Sequence, residues 1–439
     1  MKRLLIIAGS DSSGGAGIQA DIKTASAIGV HPLTVITAVT SQNTKGVHRI
    51  HLIPEEDIKG QLSAIKDDIS FDAIKIGMLG SEKIAKIVLD FIKTAKKPVI
   101  LDPVMYSQSG SQLSPENIFY EIMRYSSFVT PNYFEAEKIS GLKIKSLKDI
   151  NKAIKEISKY TKKVLLKGGD SPFDYDFYFD GKGIHQFKIE RLDTKNTHGT
   201  GCTLATAIAS YLILTGDFYE SIKLGREFVY NALKNGIPLG TQFGTIDQLA
   251  NLRKDAERFH CLTALISAYN KLKDLKIGAI LPEIQSNLVY AIKNAQTLDD
   301  VAGFRGRIIS AGEEIDTPAF PVFGGSKHIG RVILSAKKFF PELNSAMALR
   351  YEKYVIDKIK KAGYVVGFFD RLKEPKEIRE KEGSSLDWGV TTACKKLKNP
   401  PDFIYDEGAI GKEPVIRVFG KNPAEIVDKV SKIKEFYKK

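Results

Sequence analysis

The chain has 439 residues, more than one hydrophobic core usually supports, so two domains are expected. Its 43% hydrophobic and 27% charged residues are ordinary for a soluble protein, and no run reaches the roughly 20 apolar residues of a membrane span. The formal net charge of +13 comes from basic residues that are spread along the chain, without a basic run interleaved with aromatic residues. The composition therefore argues against a membrane protein and gives no support to nucleic-acid binding.

The chain has three cysteines, Cys202, Cys261 and Cys394. Their odd number and wide spacing favour a reducing, cytoplasmic location over a disulfide framework. No CxxC or paired-histidine spacing indicates structural zinc. Lys2 and Arg3 precede an apolar stretch at residues 4–8, but this stretch is too short for a signal peptide and predicts a first buried strand.

Short apolar runs alternate with amphipathic stretches over residues 1 to about 250. The runs lie at residues 4–8, 33–39, 73–78, 99–101, 128–130 and 164–166. Strands that alternate with helices predict an α/β domain with a mostly parallel sheet and helices on both faces. Residues 176–189 flank the turn Asp180-Gly181-Lys182-Gly183, which predicts an antiparallel hairpin at one edge of the sheet.

A domain boundary is expected near residue 252. Gly236, Pro238, Gly240 and Gly244 interrupt the pattern, and helical periodicity returns at residues 249–275. We therefore predict two domains, residues 1–252 and 253–439. The second contains helix patterns and short strands such as residues 364–369 and 415–419, so it is a separate α/β domain.

The first domain fits neither of two common phosphate-binding fingerprints. Residues 15–20 fit the GxGxxA dinucleotide pattern, but the second strand ends in Ser41-Gln42-Asn43 without the acidic residue that would hold a ribose. A Walker A loop is excluded because no Gly-Lys pair is followed by Ser or Thr. Neither a nicotinamide enzyme nor a P-loop enzyme is favoured.

The segment Gly199-Thr200-Gly201-Cys202 predicts a glycine turn that leads into a helix. Such a turn presents backbone N–H groups and the positive end of the helix dipole to one point, which suits the oxygens of a phosphoryl group in transfer. The same field is expected to lower the pKa of the Cys202 thiol. The alternative is that both glycines only allow close packing.

These segments resemble the signatures of hydroxymethylpyrimidine/phosphomethylpyrimidine kinases, in order and spacing over residues 1–245. The matching blocks are residues 8–21, 40–44, 75–78, 102–105, 130–132 with Glu135, 167–169 and 194–202. The resemblance implies a ribokinase-like fold that uses ATP and Mg²⁺. Ribokinase-like sugar kinases usually carry aspartate at the position of Cys202, whereas cysteine is typical of this branch and of some pyridoxal kinases.

The resemblance also implies a substrate pocket and a catalytic loop. Asp21 and Gln42 would hydrogen-bond the aminopyrimidine edge, and Gly9 and Met78 would line its pocket. Cys202 would act catalytically with the backbone of Gly199 and Gly201. A solvated helix position remains the alternative for Asp21.

The remaining kinase residues concern metal and nucleotide. By the same resemblance Asp102 and Glu135 would lie near Mg²⁺, with capping of a strand end as the alternative for either. Asn132 and Thr200 would contact the nucleotide phosphates. Lys167 would contact the nucleotide and neutralise charge on the transferring phosphate.

Several blocks in the second half resemble the ThiN-type thiamine-phosphate synthase domain. They are residues 281–291, 301–308, 323–331, 382–389 and 404–408. The turn Gly324-Gly325-Ser326 offers backbone donors, and Arg307, His328 and Arg331 offer charged partners for a diphosphate leaving group. We select Arg307 and His328 as the catalytic pair. Trp388 is either a stacking platform for a heteroaromatic ring or a core residue.

Together the resemblances imply a bifunctional enzyme of thiamine biosynthesis. The first domain would phosphorylate 4-amino-5-hydroxymethyl-2-methylpyrimidine twice, and the second would join the diphosphate to thiazole phosphate and release pyrophosphate. The expected partners are small molecules and further copies of the chain in a homo-oligomer. The alternative is a pyridoxal or broader vitamin kinase with a C-terminal module that senses thiamine phosphate.

Overall fold

The computed structural model describes residues 1–106, 110, 112–115, 117–169, 171–380 and 384–438. The chain forms two compact units, Met1–Leu252 and Arg253–Lys439. Among the described residues, no helix is both long and apolar enough to cross a membrane.

The described part of the first unit contains one sheet of nine strands in the order β3-β2-β1-β4-β5-β6-β7-β8-β9. The strands are β1 (Arg3–Asp11), β2 (His31–Asn43), β3 (Gly46–Leu52), β4 (Ala73–Ile76), β5 (Val99–Leu101), β6 (Phe128–Val129), β7 (Val164–Leu166), β8 (Tyr175–Phe179) and β9 (Ile184–Lys188). The six central strands are parallel, and β3, β8 and β9 are antiparallel additions at the two edges. All six predicted strands and the predicted β8–β9 hairpin are confirmed.

Strand β3 was not predicted. It pairs antiparallel with β2 at the edge of the sheet, and none of its seven residues is fully buried. A strand that buries no face leaves no regular alternation of apolar and polar residues in the sequence. The first sheet therefore carries an antiparallel hairpin at each edge rather than at one.

Helices cover both faces of this sheet. They are α1 (Gly17–Ile28), α2 (Glu55–Asp68), α3 (Glu82–Ala95), α4 (Ile118–Arg124), α5 (Tyr133–Ser140), α6 (Leu147–Ile157), α7 (Thr200–Thr215) and α8 (Phe218–Lys234). Successive residues of β1 point to opposite faces: Leu5 and Ile7 pack in a core with α2 to α6, whereas Leu4 and Ile6 pack with α1, α7 and α8. The sheet is thus buried on both sides, as its continuous apolar strands predict.

The strand order reverses at β1. The chain moves from β1 to β2 on one side and later returns to place β4 on the other side. In open parallel sheets, ligands bind beyond the carboxyl ends of the strands at such a switch point. This rule directs attention to Gly9, Gln42 and Met78, which lie at or just after the ends of these three strands.

The described part of the second unit has a seven-stranded sheet in the order β14-β11-β10-β15-β18-β17-β16 and a small β12–β13 hairpin. The strands are β10 (Leu288–Ala291), β11 (Val301–Phe304), β12 (Ile309–Ala311), β13 (Glu314–Asp316), β14 (Pro321–Phe323), β15 (Ser345–Arg350), β16 (Val366–Phe368), β17 (Phe403–Asp406) and β18 (Val415–Gly420). Neighbours are antiparallel except for β16 and β17. Both strands predicted here, β16 and β18, are confirmed.

Helices also cover both faces of the second sheet. They are α9 (Ala250–Asp274), α10 (Lys327–Lys337), α11 (Lys353–Lys361), α12 (Lys376–Glu380), α13 (Ser384–Cys394) and α14 (Pro423–Lys434), with 3₁₀ turns at Gly278–Ile280, Leu298–Asp300, Arg371–Lys373 and Glu435–Tyr437. On β15, Met347 and Leu349 pack in a core with α9, α11 and α14. Ala346 and Ala348 point the other way, into a core with α10 and α13. The sequence prediction of a second α/β domain holds.

Because each unit has its own cores, we predict that a fragment of residues 1–252 folds without the rest of the chain. We expect this fragment to phosphorylate the hydroxymethylpyrimidine at the rate of the full chain, measured by product formation under saturating ATP. Circular dichroism is the control for folding. A folded but inactive fragment, beside an active full chain, would show that the kinase needs residues beyond 252.

Candidate active sites

A cavity of about 940 Å³ lies at the carboxyl ends of the parallel strands in the first unit. It brings together every residue predicted for the kinase except Asp21. These lining residues are Gly9, Gln42, Met78, Asp102, Asn132, Glu135, Lys167, Gly199, Thr200, Gly201 and Cys202. Six of the segments meet there because strands β1, β2 and β4 to β7 end at the same edge of the sheet, and the start of α7 adds a seventh.

The first turn of α7 forms one wall of the cavity. Its N-cap, Gly199, makes no side-chain capping hydrogen bond, and the segment 199–202 lines the cavity. The helix therefore presents backbone donors and the positive end of its dipole to the space where a phosphate would lie. This is the arrangement that the glycine turn predicts.

Close packing at this turn requires glycine. Gly199 has φ +86°, and a Cβ atom there would lie 1.8 Å from the carbonyl oxygen of Gly15. A Cβ on Gly15 would in turn lie 2.3 Å from Cδ2 of His198. The two readings of the glycines, close packing and anion binding, are therefore compatible, because close packing is what places the helix N-terminus at the cavity.

Lys167 and Asp102 form a buried ion pair at the ends of β7 and β5. The Lys167 Nζ atom lies 2.8 Å from Asp102 Oδ1, and the Thr130 hydroxyl donates to the same oxygen at 3.2 Å. Burial opposes the charge of Lys167, but Asp102 and Glu135 outweigh it and raise the pKa of Lys167. A Cβ on Gly201 would lie 3.4 Å from this ammonium, so a fixed cation stands beside the N-terminus of α7.

Asn132 and Glu135 form a capping box at the start of α5. The Asn132 side chain accepts from the Glu135 backbone N–H, and Glu135 Oε2 accepts from the Asn132 N–H, each at 2.8 Å. Burial raises the pKa of Glu135 to about 7, and Asp102 adds to this effect while Lys167 opposes it. Among the described residues, no three His, Cys, Asp or Glu side chains are grouped to hold a metal, so a cation here would take its other ligands from phosphates and water.

Gln42 lies at the opposite end of the cavity, beside His198. Its Nε2 atom is 3.2 Å from His198 Nε2, and the same histidine nitrogen lies 2.9 Å from Asp11 Oδ2. Burial opposes the charge of Asp11, but hydrogen bonds from His198, Ala16 and Ser13 lower its pKa to about 2. His198 thus fixes the loop before α7 to the end of β1.

Gly9 and Met78 also lie at this end of the cavity. A Cβ on Gly9 would lie 2.9 Å from the Met78 sulfur. The glycine therefore leaves room for the Met78 side chain against the end of β1. Both residues line the cavity, as predicted.

Asp21, expected to contact the pyrimidine, lies apart from the other residues of the predicted pocket, and its role stays a prediction. Asp21 is fully buried beneath the cavity rather than in its wall, and its two oxygens already bind Lys75 Nζ at 2.7 Å and the Thr206 hydroxyl at 2.6 Å. Each oxygen of Asp21 thus already accepts one hydrogen bond within the protein. Lys75, which sequence reasoning missed, is the residue of this pair that lines the cavity.

Lys75 could have been found from the sequence by one signal. It interrupts the apolar run of residues 73–78, and a lysine in a strand buried on both faces requires a partner. Burial opposes its charge, but Asp21 keeps the pKa of Lys75 above its ordinary value. A second fixed ammonium is therefore present at the bottom of the cavity.

The predicted lowering of the Cys202 pKa is wrong in direction. Burial raises the pKa of this thiol to about 12, although Lys75 acts in the opposite sense. Removal from water destabilises the thiolate by more than the helix dipole and Lys75 stabilise it. Cys202 is therefore a neutral thiol in this structure, able to donate a weak hydrogen bond into the cavity.

In the second unit, Arg307 and His328 lie in one electropositive region. Partial removal of water from the His328 ring lowers its pKa to about 4, and the positive charges of nearby arginines act in the same direction. These arginines are Arg417, Arg307, Arg371 and Arg331. Histidine is therefore neutral there at physiological pH. His328 is at the second position of α10, whose N-cap makes no side-chain hydrogen bond.

Arg307 follows Gly306 in a turn and has φ +74°, the left-handed region that only a minority of non-glycine residues adopt. Its guanidinium donates to the carbonyl of Ile284. A strained backbone held by a side-chain bond is typical of residues placed for function. The remaining N–H groups of the Arg307 guanidinium can donate hydrogen bonds to an anion.

Trp388 is half-buried on α13, and its ring meets that of Phe369 edge-on at 6.3 Å between centroids. This contact places Trp388 against the core, in agreement with the structural alternative. Two residues of the matching block 382–389, Glu382 and Gly383, lie outside the described residues.

Both units match known protein families. The phosphomethylpyrimidine kinase family model matches residues 11–247, and the model of thiamine-phosphate synthase ThiN matches residues 264–432. The bifunctional thiamine biosynthesis protein ThiDN of Methanocaldococcus jannaschii is 34% identical over 442 residues, which cover 99% of each chain. The hydroxymethylpyrimidine/phosphomethylpyrimidine kinase of Aquifex aeolicus is 38% identical and covers 55% of this chain and 98% of its own.

Solved structures confirm the ribokinase-like fold of the first unit. A pyridoxal kinase from Bacillus subtilis in complex with ADP has a TM-score of 0.53 and 34% identity, over 58% of this chain and 99% of that one. A pyridoxal kinase from Staphylococcus aureus in complex with AMP-PCP and pyridoxal has a TM-score of 0.53 and 33% identity, over 58% and 96%. The chain therefore belongs to the family of bifunctional thiamine-biosynthesis enzymes, which join a phosphomethylpyrimidine kinase domain to a ThiN-type thiamine-phosphate synthase domain.

Proposed function

We propose that the first unit transfers the γ-phosphate of ATP to 4-amino-5-hydroxymethyl-2-methylpyrimidine and then to its monophosphate. The observation that carries this assignment is the convergence of the α7 N-terminus and the Lys167–Asp102 pair on one cavity. A phosphoryl group in flight spreads negative charge over its equatorial oxygens, and fixed donors aimed at that charge are the main requirement for catalysis. Backbone N–H groups at residues 199–201 and the Lys167 ammonium supply such donors.

The acceptor hydroxyl would lie between Cys202 and the pyrimidine end of the cavity. Gln42 reads the aminopyrimidine edge with its amide, while Gly9 and Met78 line the ring. Asp21 acts indirectly, since it holds the Lys75 ammonium in the cavity wall. This ammonium balances the negative charge of the monophosphate in the second phosphorylation.

ATP and Mg²⁺ are proposed from the same residues. Relatives of known structure hold ADP or AMP-PCP, and we assign the nucleotide phosphates here to Asn132, Thr200 and Lys167. Asp102 and Glu135 offer hard oxygen ligands at the cavity, which suits Mg²⁺. When bound, Mg²⁺ would neutralise charge on the phosphates. Glu135 must release its proton for this, and the nearby Lys167 cation assists that release.

We further propose that the second unit forms thiamine phosphate. The thiazole nitrogen forms a bond to the pyrimidine methylene carbon while the bond from that carbon to the diphosphate oxygen breaks, and pyrophosphate leaves with the electron pair. Arg307 offers a planar fork to the leaving group. His328, neutral beside several arginines, can donate one N–H bond without a charge of its own. Three free cysteines fit the reducing cytoplasm proposed for the enzyme, and a homo-oligomer stays a prediction.

One observation favours a second candidate function, a pyridoxal kinase joined to a sensor of thiamine phosphate. Several structures that resemble the first unit are pyridoxal kinases. Competition between pyridoxal and the hydroxymethylpyrimidine for limiting enzyme distinguishes the two, since the better substrate suppresses phosphorylation of the other. Release of pyrophosphate by the second unit would exclude a pure sensor.

Cys202→Ala tests the thiol in the kinase. We expect pyrimidine phosphorylation to fall by about 10²-fold, the typical effect of losing one donor to a developing charge. The matched control is Cys261→Ala, which removes a buried thiol of the second unit and should leave the kinase unchanged. Wild-type turnover in Cys202→Ala would mean that the backbone donors suffice.

Glu135 predicts a pH-dependent affinity for Mg²⁺. Its pKa of about 7 lies above the ordinary value, so the proton that competes with the cation is bound below pH 7 and lost as the pH rises through 7. Affinity should therefore increase about tenfold from pH 6 to pH 8. Mg²⁺ titrations of the full chain, saturated with AMP-PCP, measure it. Glu135→Gln should lose this dependence. Glu137→Gln, which removes a nearby carboxylate paired with Lys143 outside the cavity, should retain it; identical profiles in both variants would contradict the assignment.

Arg307→Ala and His328→Ala test the synthase in the full chain. With ATP, Mg²⁺, the hydroxymethylpyrimidine and thiazole phosphate, the wild type should yield thiamine phosphate and pyrophosphate. Each variant should lower thiamine-phosphate formation on the order of 10²-fold while phosphorylation continues at the wild-type rate, because each loses a contact to the leaving group. Unchanged synthesis in both folded variants would remove these residues from the site.

A further inference from the structure

Two arginines and one aspartate form a buried cluster in the second unit, outside the residues predicted from sequence. Arg417 lies on β18, Asp406 on the neighbouring β17, and Arg371 in the 3₁₀ turn Arg371–Lys373. Asp406 is 0%, Arg417 1% and Arg371 7% exposed. Ionised side chains so deeply buried are rare unless they are paired.

The pairing leaves positive charge in excess. Asp406 accepts from Arg417 Nη1 at 2.8 Å, from Arg371 Nε and Nη2 at 2.5 and 3.3 Å, and from the Gly408 N–H at 2.9 Å. One carboxylate therefore serves two guanidinium groups and has no further bonding capacity. A buried charge without a counter-charge is costly, so an anion is the ligand that this cluster lacks.

One donor of the cluster also lacks an acceptor. Arg417 makes one further bond, to the Val415 carbonyl at 3.3 Å, and its buried Nε has no partner. Both guanidinium groups lie over the Phe369 ring, at 5.4 Å for Arg371 and 5.2 Å for Arg417. A Cβ on Gly389 would lie 2.4 Å from that ring. Helix α13 therefore packs closely on the Phe369 ring, and the ring in turn supports both guanidinium groups.

The cluster adjoins the proposed synthase site. Phe369, over which both guanidinium groups lie, shares a hydrophobic core with Ile329, the residue after His328 on α10. Arg417 and Arg371 also act electrostatically on His328, together with Arg307 and Arg331. The other carboxylate on which Arg371 acts is Glu374, but this side chain is paired with Lys412 at 3.1 Å. The neighbouring carboxylate is thus already balanced and does not cancel the excess.

We propose that Arg371, held in place by Asp406 together with Arg417, forms the fixed cationic base of the synthase site and binds the diphosphate of the pyrimidine substrate. Arg371, the most exposed member of the cluster at 7%, contacts the anion, whereas Arg417 is a positioning residue that acts through Asp406 and Arg371. The shared chemistry is that of phosphate, and we commit to the diphosphate because two adjacent phosphoryl groups match several guanidinium groups better than one phosphate ester does. The inference rests on the proposed synthase function.

The test uses the full chain, with inorganic pyrophosphate as a product inhibitor. Arg371→Lys keeps the charge but loses the planar fork, so the inhibition constant of pyrophosphate and KM for the pyrimidine diphosphate should each rise about tenfold or more. KM for thiazole phosphate should change less than twofold. The matched control is Lys429→Met, which removes a buried cation paired with Asp402 and Glu425 and should leave both pyrophosphate parameters unchanged.

A measurement on the wild type covers the case in which Arg371→Lys does not fold. Pyrophosphate should protect residues 371–374 and 406–408 from hydrogen exchange, and inorganic phosphate at equal concentration should do so less. Absence of protection, an unaltered inhibition constant in folded Arg371→Lys, or a rise confined to KM for thiazole phosphate would each overturn the inference. A failure of the proposed function itself would look different, because the wild-type chain would then form no thiamine phosphate.

Discussion

The kinase site depends on one contact between backbones, where Gly199 meets the carbonyl oxygen of Gly15. A Cβ atom would lie 1.8 Å from that oxygen, so the approach is open only to glycine at this position. The contact joins segments that are far apart in sequence, as does the Asp11–His198 hydrogen bond across 187 residues. Helix α7 is apolar on nearly all sides. The burial of this helix stabilises the position of the turn at its N-terminus.

From this contact follows the distribution of charge in the cavity. The N-terminus of α7 supplies positive potential, and Lys167 and Lys75 add two ammonium groups that Asp102 and Asp21 hold in place. In each pair the carboxylate keeps the lysine charged in spite of burial. The cavity can therefore accept a phosphate without rearrangement of its donors, which is the condition for efficient electrostatic catalysis.

The sequence predicted elements well where they leave a repeated apolar pattern. It predicted poorly where the role of a residue depends on one tertiary partner. Parallel strands buried on both faces leave continuous apolar runs, and glycine turns leave short motifs, so the six central strands and the 199–202 loop could be found. The exposed strand β3 left no such pattern. Asp21 was assigned to the substrate because no local pattern shows that Lys75 and Thr206 occupy its oxygens. For Cys202, the sequence shows the helix dipole but not the depth of burial, which reverses the direction of the pKa shift.

The two units meet the same problem, binding of phosphate groups, with different chemistry. In the kinase cavity the carboxylates Asp102 and Glu135 lie among the cations, an arrangement that suits phosphates accompanied by Mg²⁺. In the second unit, Arg371 and Arg417 share a single carboxylate, Asp406, and this excess suits an anion that arrives with uncompensated charge. Under the proposed functions, the kinase makes a diphosphate and the synthase expels it as pyrophosphate, and the two units carry different balances of carboxylate and cation at the proposed sites.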